Sequence, residues 1–469
     1  MKKRLVFILF FVIFLVSCNK NELLNISFNN EPKKEYIEGT STEEALKDIT
    51  IKIQRKKNTQ IVNAKDMKIE GFDLSTIGEH VMIVKYEGKE LSWKYNVVVK
   101  PWDGSIDTSW YDDTAKSYLI KNANEFAGIA KLVNEGRDFK DKMITLTKDI
   151  DLGDNQWIPI GTDGKGISTA ENNYFSGIFD GNNHLISNIK IIAKHNGSGE
   201  HIESSESYYN CGLFGQVKNG TIKDLKIKNV TIQNGMMNNY TRAMQGTGSL
   251  VGWLNGGSII KDIEISGDIN IRAEYKVGGA IGNISKENVT IENISVIGNQ
   301  NSMVYGSDKE FKDTNNFGGL IGFSDCANLM ITKCKTNILV SGYTSGGIIG
   351  CSSNAKCTID NCTVLGVTQD PEGSICGGIM GGRFASVTIK DCNVLGSILI
   401  GELEENKYAD VLVSKYGTIT EVNASNNYYD KTKMSDKIFN SLKAIPNEIK
   451  NTNNLNHFEM NTYEKKMTY

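Results

Sequence analysis

A five-residue phrase of glycines and aliphatics recurs six times between Cys211 and Gly381. Its forms are Cys211-Gly212-Leu213-Phe214-Gly215, Gly248-Ser249-Leu250-Val251-Gly252, Gly278-Gly279-Ala280-Ile281-Gly282, Gly318-Gly319-Leu320-Ile321-Gly322, Gly346-Gly347-Ile348-Ile349-Gly350 and Gly377-Gly378-Ile379-Met380-Gly381. The closing glycines are 37, 30, 40, 28 and 31 residues apart. A second phrase follows each copy, beginning at Thr221, Ile259, Thr290, Met330, Thr358 and Thr388. Self-similarity at a period of about 20 to 50 residues restricts a chain to solenoids, propellers or arrays.

The pattern inside the period chooses among these. Each unit holds short β-branched stretches split by Gly, Asn and Asp, and none keeps a helical period for ten residues. Helical repeats are therefore excluded. A propeller blade takes four strands and about 40 residues, which the shortest unit hardly supplies. A right-handed parallel β-helix fits, with like positions of successive coils stacked in ladders about 4.8 Å apart. The glycines then serve tight corners, either through positive φ or through close backbone approach.

These residues resemble the GLUG motif of bacterial surface proteins. The run-in, Ile120 to Gly161 and Phe175 to Ile191, is similar to the segment that precedes the β-helix in such proteins. The resemblance implies an adhesin-like surface protein, or the accessory region of a secreted protease. In the run-in, Phe126, Ile129, Ala130 and Val133 share one helical face, Asn122 or Asn124 is placed as N-cap and Gly136 as stop. This predicts a helix over 122–135 that caps the first coil.

The N-terminus reads as an export signal: Lys2, Lys3 and Arg4 precede an apolar run, Leu5 to Val16, too short to span a bilayer. The run ends in Leu15-Val16-Ser17-Cys18, which resembles the bacterial lipobox. The resemblance implies cleavage after residue 17, lipid on Cys18 and a membrane as partner through that lipid. The expected location is the cell envelope, at the outer membrane or cell surface. The formal net charge of −3 becomes three units more acidic once the leader's basic residues are gone. No basic face marks a nucleic-acid binder.

Residues 18–33 read as a polar tether. Over 34–100 the pattern is β, with Leu91, Trp93, Tyr95, Val97 and Val99 alternating along one strand and Glu87-Gly88-Lys89 as a hairpin turn. Tyr36 to Gly39, Gly71 to Gly78, Val84 to Tyr86 and Trp93 to Val99 resemble a group 3 type bacterial Ig-like domain, which implies a small β-sandwich used as spacer or binding module. Residues 101–119 read as a linker, 120–430 as the β-helix, and 431–469 as a short helix, Ser435 to Ile445, with a polar tail. The fold class expected is thus all-β.

The histidines, His80, His184, His195, His201 and His457, form no HExxH zinc site, and no G-x-S-x-G elbow occurs. Asp149, Asp151 and Asp154 read as turn residues in preference to a Ca²⁺ site, and no cofactor is expected. Asp224, Asp262 and Asp391 share one repeat position and Asp360 lies one residue earlier, so they read as ladder residues and not as a catalytic set. The chain is accordingly read as no enzyme, with a carbohydrate-active β-helix enzyme and a structural envelope protein as the alternatives. Recognition of an extracellular protein or glycan is the reading kept, with Tyr240, Tyr275, Tyr305 and Tyr343 as candidate contacts. Finally, Leu225, Ile263, Ile294, Cys334, Cys362 and Cys392 align. A position that takes Leu, Ile or Cys reads as an inward-facing ladder in which free thiols act as small apolar fillers. A Cys351–Cys357 bridge at a corner stays open.

Overall fold

A computed structural model describes residues 21–162, 173–192, 208–234, 246–273, 275–306, 316–353, 356–370, 375–382, 386–400, 408–410, 412–413, 421–430 and 460–462. Cys18, Tyr240 and the helix expected at Ser435–Ile445 lie outside them. The chain divides into two compact units, Met1–Lys100 and Pro101–Tyr469.

The first unit holds two small sheets. Thr50–Arg55 pairs antiparallel with Leu23–Phe28 and with Thr59–Asn63. Lys89–Val98 pairs antiparallel with Gly78–Tyr86 and parallel with Glu35–Ile37. The turn between the long strands is Glu87-Gly88, with φ of +43° and +80°, the two left-handed residues of a primed hairpin turn. Ile51, Ile53, Met82, Val84, Tyr95 and Val97 are buried between the sheets. Two expectations are corrected. The tether expected over 18–33 contains the strand Leu23–Phe28, because Ile26 is buried in this core. A helix, Thr42–Leu46, interrupts the β pattern because the Ser41 side chain accepts the Glu44 N–H at 3.2 Å.

The second unit is built mostly of parallel strands. Thr221–Gln233, Ile259–Arg272 and Val289–Gly298 are neighbours in its largest sheet, followed by the shorter strands Asn328–Thr332, Lys356–Asp360 and Ser386–Lys390. The starts of the second phrase, Thr221, Ile259, Thr290, Met330, Thr358 and Thr388, face one another in unbroken register. The glycine phrase contributes six strands to each of two further parallel sheets, and Tyr408–Asp410 adds a seventh to one of them among the described residues. Strands before the phrase's turn, such as Lys276–Gly278, make one; strands after it, such as Ile281–Ser285, make the other. Three parallel sheets paired repeat to repeat are consistent with a β-helix.

The phrase's glycines serve close approach and not positive φ: none of them is among the left-handed residues. A Cβ on Gly248 would lie 2.7 Å from Ala280 C and 2.8 Å from Ile281 Cα of the next repeat. The left-handed conformation falls instead on Asp224, Asp262, Asn293, Lys333, Asn361 and Asp391, φ +52° to +57°. Asn and Asp tolerate it because their short polar side chains bond locally.

The expected linker over 101–119 is packed. Pro101 bridges to Asp151, the Trp102 N–H reaches Asp151 O at 2.8 Å, and Ser117–Ile120 pairs with Met143–Leu146. Its apolar residues Trp102 and Tyr118 are buried, which drives the packing. A helix spans Ala123–Asn134. The Asn122 side chain accepts the Glu125 N–H at 2.9 Å while the Glu125 carboxylate accepts the Lys121 N–H at 2.8 Å. Phe126, Ile129 and Val133 are wholly buried, and Phe126 stacks on Trp157 at 5.1 Å.

Candidate functional site

The helix face that carries Phe126 also carries Ala127 and Ala130. These short side chains leave a cleft of about 390 Å³, walled otherwise by Trp102, Ile106, Trp157, Ile158 and Thr162. Trp157 is fixed by its ring N–H, which donates to Leu213 O at 3.0 Å. Trp102 meets it edge-on at 5.8 Å and donates its own ring N–H to Ser105 O at 2.7 Å. Both indole N–H groups are thereby used within the chain. Asn134 closes one end: its Oδ1 accepts the N–H groups of Gly161 and Thr162, both at 2.8 Å. Ile106 and Ile158 are 50% and 46% exposed. The rim carries the Lys131–Glu135 ion pair, and Lys131 holds the Glu135 carboxyl below its ordinary range. Such a lining accepts an apolar group, with one charge of each sign at the mouth.

Sequence reasoning missed this cleft because Trp102 and Ile106 fell in the assumed linker. Two tryptophans and a proline in eleven residues were the available signal.

Of the candidate tyrosines, Tyr275, Tyr305 and Tyr343 lie among the described residues. Tyr275 is buried, at 1% exposure, so its ring has no face for a ligand. The strand beginning at Asn316 separates those beginning at Lys276 and Thr344, so Tyr275 and Tyr343 do not stack in adjacent repeats. Tyr305 is partly exposed and pairs with Arg272 and Ser341.

The carboxylates are dispersed. Asp149 takes His184 and the Leu185 N–H at 3.0 Å each, and Asp151 takes the Gly153 N–H at 2.8 Å and Asn188 at 2.7 Å. Among the described residues no three His, Cys, Asp or Glu are placed to hold a metal. Asp360 pairs with Lys390 at 3.0 Å, and Lys333 with Glu292 at 2.9 Å, as rungs of a charged surface ladder.

Leu225 faces Ile263, and Ile263 faces Ile294, in register. The pairings of Lys335 with Thr363 and Thr363 with Asn393 continue the row through Cys334, Cys362 and Cys392. All six are at most 2% exposed. The eight described cysteines are free and buried, Cys351 and Cys357 included.

One buried group stands apart. Lys276 is 7% exposed, with Nζ 4.2 Å from the Phe323 ring centroid. Burial pushes its amine down to about 8 and raises the carboxyl of neighbouring Asp325.

No family model matches the chain, and no curated protein does. Among solved structures it is similar to a protein of Bacteroides ovatus named provisionally as an immunoglobulin A1 protease. That match has 17% identity and a TM-score of 0.35, over 67% of this chain and 85% of that one. A second, named IgA1 protease, is 16% identical with a TM-score of 0.40, over 86% of this chain and 27% of that one. The expectation that the chain is no enzyme is withdrawn on this finding, and with it the exclusion of a protease, since both similar structures bear a protease's name. At these TM-scores the likeness itself assigns no activity here.

Proposed function

We propose that this chain is a lipid-anchored cell-envelope protein that recognises an extracellular protein ligand. Its anchor is the lipid on Cys18, its N-terminal unit is an Ig-like spacer, and its second unit is a right-handed parallel β-helix of GLUG-type repeats. Support for the helix is the unbroken parallel register of the second phrase from Thr221 to Thr388. Among the described residues no helix is long and apolar enough to cross a membrane.

The observation that carries the recognition reading is the cleft between Trp102, Trp157 and the helix Ala123–Asn134. Its apolar lining, with both indole N–H groups already used, favours an apolar protein side chain over a sugar, which needs hydrogen-bonding partners. Binding of the mature protein to arrayed host and matrix proteins, with a glycan array alongside, tests this. Protein binding that falls at least tenfold in Ile158→Asp is expected. Binding only to glycans, or binding indifferent to Ile158→Asp, overturns it. Mass analysis of each bound partner after incubation separates recognition from turnover. For the anchor, Cys18→Ser abolishes incorporation of labelled fatty acid; continued labelling overturns attachment at Cys18.

A further inference from the structure

Among the described residues Lys276 is the one charged side chain in the buried class; its companions there are Asn, Gln, Ser and Thr. It opens the strand Lys276–Gly278, which pairs in parallel with Asn316–Gly318, and Lys276 faces Asn316 residue for residue. Paired positions of a parallel sheet lie about 4.8 Å apart with side chains on the same face. Asn316 is itself 8% exposed. The two carry complementary reactive groups, a primary amine and a carboxamide, shielded together from water. Phe323, 4.2 Å from Nζ, closes one side. Two residues beyond it, the solvent-exposed Asp325 interacts with Lys276 through charge.

We propose that Lys276 and Asn316 are joined by an intramolecular isopeptide bond that ties two successive repeats together, with Asp325 as the proton relay. The Nζ lone pair attacks Asn316 Cγ and a C–N bond forms. The tetrahedral adduct then expels the original amide nitrogen. Asp325 takes the proton from Nζ and returns one to the leaving nitrogen, which departs as ammonia. Nothing is oxidised or reduced, and no co-reactant is consumed. Attack needs the unprotonated amine. Burial, which brings Lys276 to about 8, supplies a neutral fraction near neutral pH that an exposed lysine lacks. The bond would give this unit a covalent staple that its cysteines do not supply, since the eight described are free thiols.

Peptide mapping of the denatured full chain decides it. The expected product is a branched peptide containing Lys276 and Asn316, lighter by one ammonia than its two parts. Lys276→Arg abolishes the branch. Asn316→Asp forms the same amide by losing water, so its branched peptide has the mass of the wild-type one. Recovery of separate linear peptides carrying Lys276 and Asn316 from wild-type protein overturns the proposal, whatever the variants do. A branch from Lys276 to the also-buried Asn283 overturns the assignment to Asn316.

Discussion

The backbone N–H of Cys362 donates to the Sγ of Cys392, one repeat further along, at 3.4 Å. The sulfur faces a backbone amide and not another sulfur in bridging geometry. The Cys334 thiol beside Cys362, and burial after it, push the Cys362 thiol above its ordinary range; the Cys362 thiol and burial do the same to Cys392. Native protein should therefore resist alkylation at both, and denatured protein should take up label at both without reductant. Mass spectrometry checks this, and a Cys362–Cys392 or Cys334–Cys362 disulfide contradicts it. Cys362→Leu should cost about 1–3 kcal/mol through overpacking. Cys362→Asp should unfold the neighbouring repeats, because the carboxylate finds no partner there.

The thiol row ends on Asn427, which the pairing of Asn393 with Tyr428 places after Cys392. Asn427 is wholly buried. Its Oδ1 accepts the Cys392 N–H at 3.0 Å and its Nδ2 donates to Ile389 O at 2.9 Å. An amide thus replaces the next strand's backbone at a core position. Asn427→Leu fills similar volume but strands both backbone groups, at about 1–3 kcal/mol for each. Chemical denaturation should show the loss, and amide exchange should place it in the strand Ser386–Lys390 and its neighbours.

Local features were legible wherever a short-range rule governs. The helix Ala123–Asn134 was readable because Phe126, Ile129, Ala130 and Val133 recur at helical spacing behind an Asn cap. The strand register was readable because each repeat writes the same phrase, so aligning text aligned strands. The helix Thr42–Leu46 carried a signal that went unread: Ser41 and Glu44 have the spacing of a capping box. The cleft was not legible, since it joins residues 102, 127 and 157, which only the fold brings together. Nor was the burial of Lys276, where a strand start reads as exposed until two sheets close over it.

Glu70 gives a pH prediction for the first unit. Lys68 at 2.8 Å and Lys85 at 2.7 Å flank its carboxylate and lower it to about 2 from an ordinary 4.5. A depressed carboxyl stabilises the fold fully above its unfolded value. That contribution fades as pH falls from about 4.5 and is lost on passing below about 2. The Glu70 carboxyl resonance should titrate near 2 at low ionic strength and move toward 4.5 in high salt, since the site is exposed. A midpoint already near 4.5 at low salt means that the bridges do not form in solution.

Lys333 occupies a left-handed position, φ +57°, that other repeats fill with Asp224, Asp262, Asn293, Asn361 or Asp391. A residue without a short polar side chain pays about 1–2 kcal/mol for this conformation. In return Lys333 pairs with Glu292 at 2.9 Å, but the two side chains are 60% and 40% exposed. An exposed pair contributes about 0–1 kcal/mol. Asparagine avoids part of the backbone cost and extends an existing chain of bonds, for Asn293 Nδ2 already donates to Asp262 Oδ1 of the preceding repeat at 2.7 Å. Lys333→Asn should therefore stabilise the protein by about 0.5–1 kcal/mol, read as a higher denaturation midpoint. Lys333→Val, which removes the ion pair and adds a β-branched side chain at positive φ, should lower it. If Lys333→Asn lowers the midpoint as well, the ion pair outweighs the backbone strain, and the recurrence of Asn and Asp at this position has another cause.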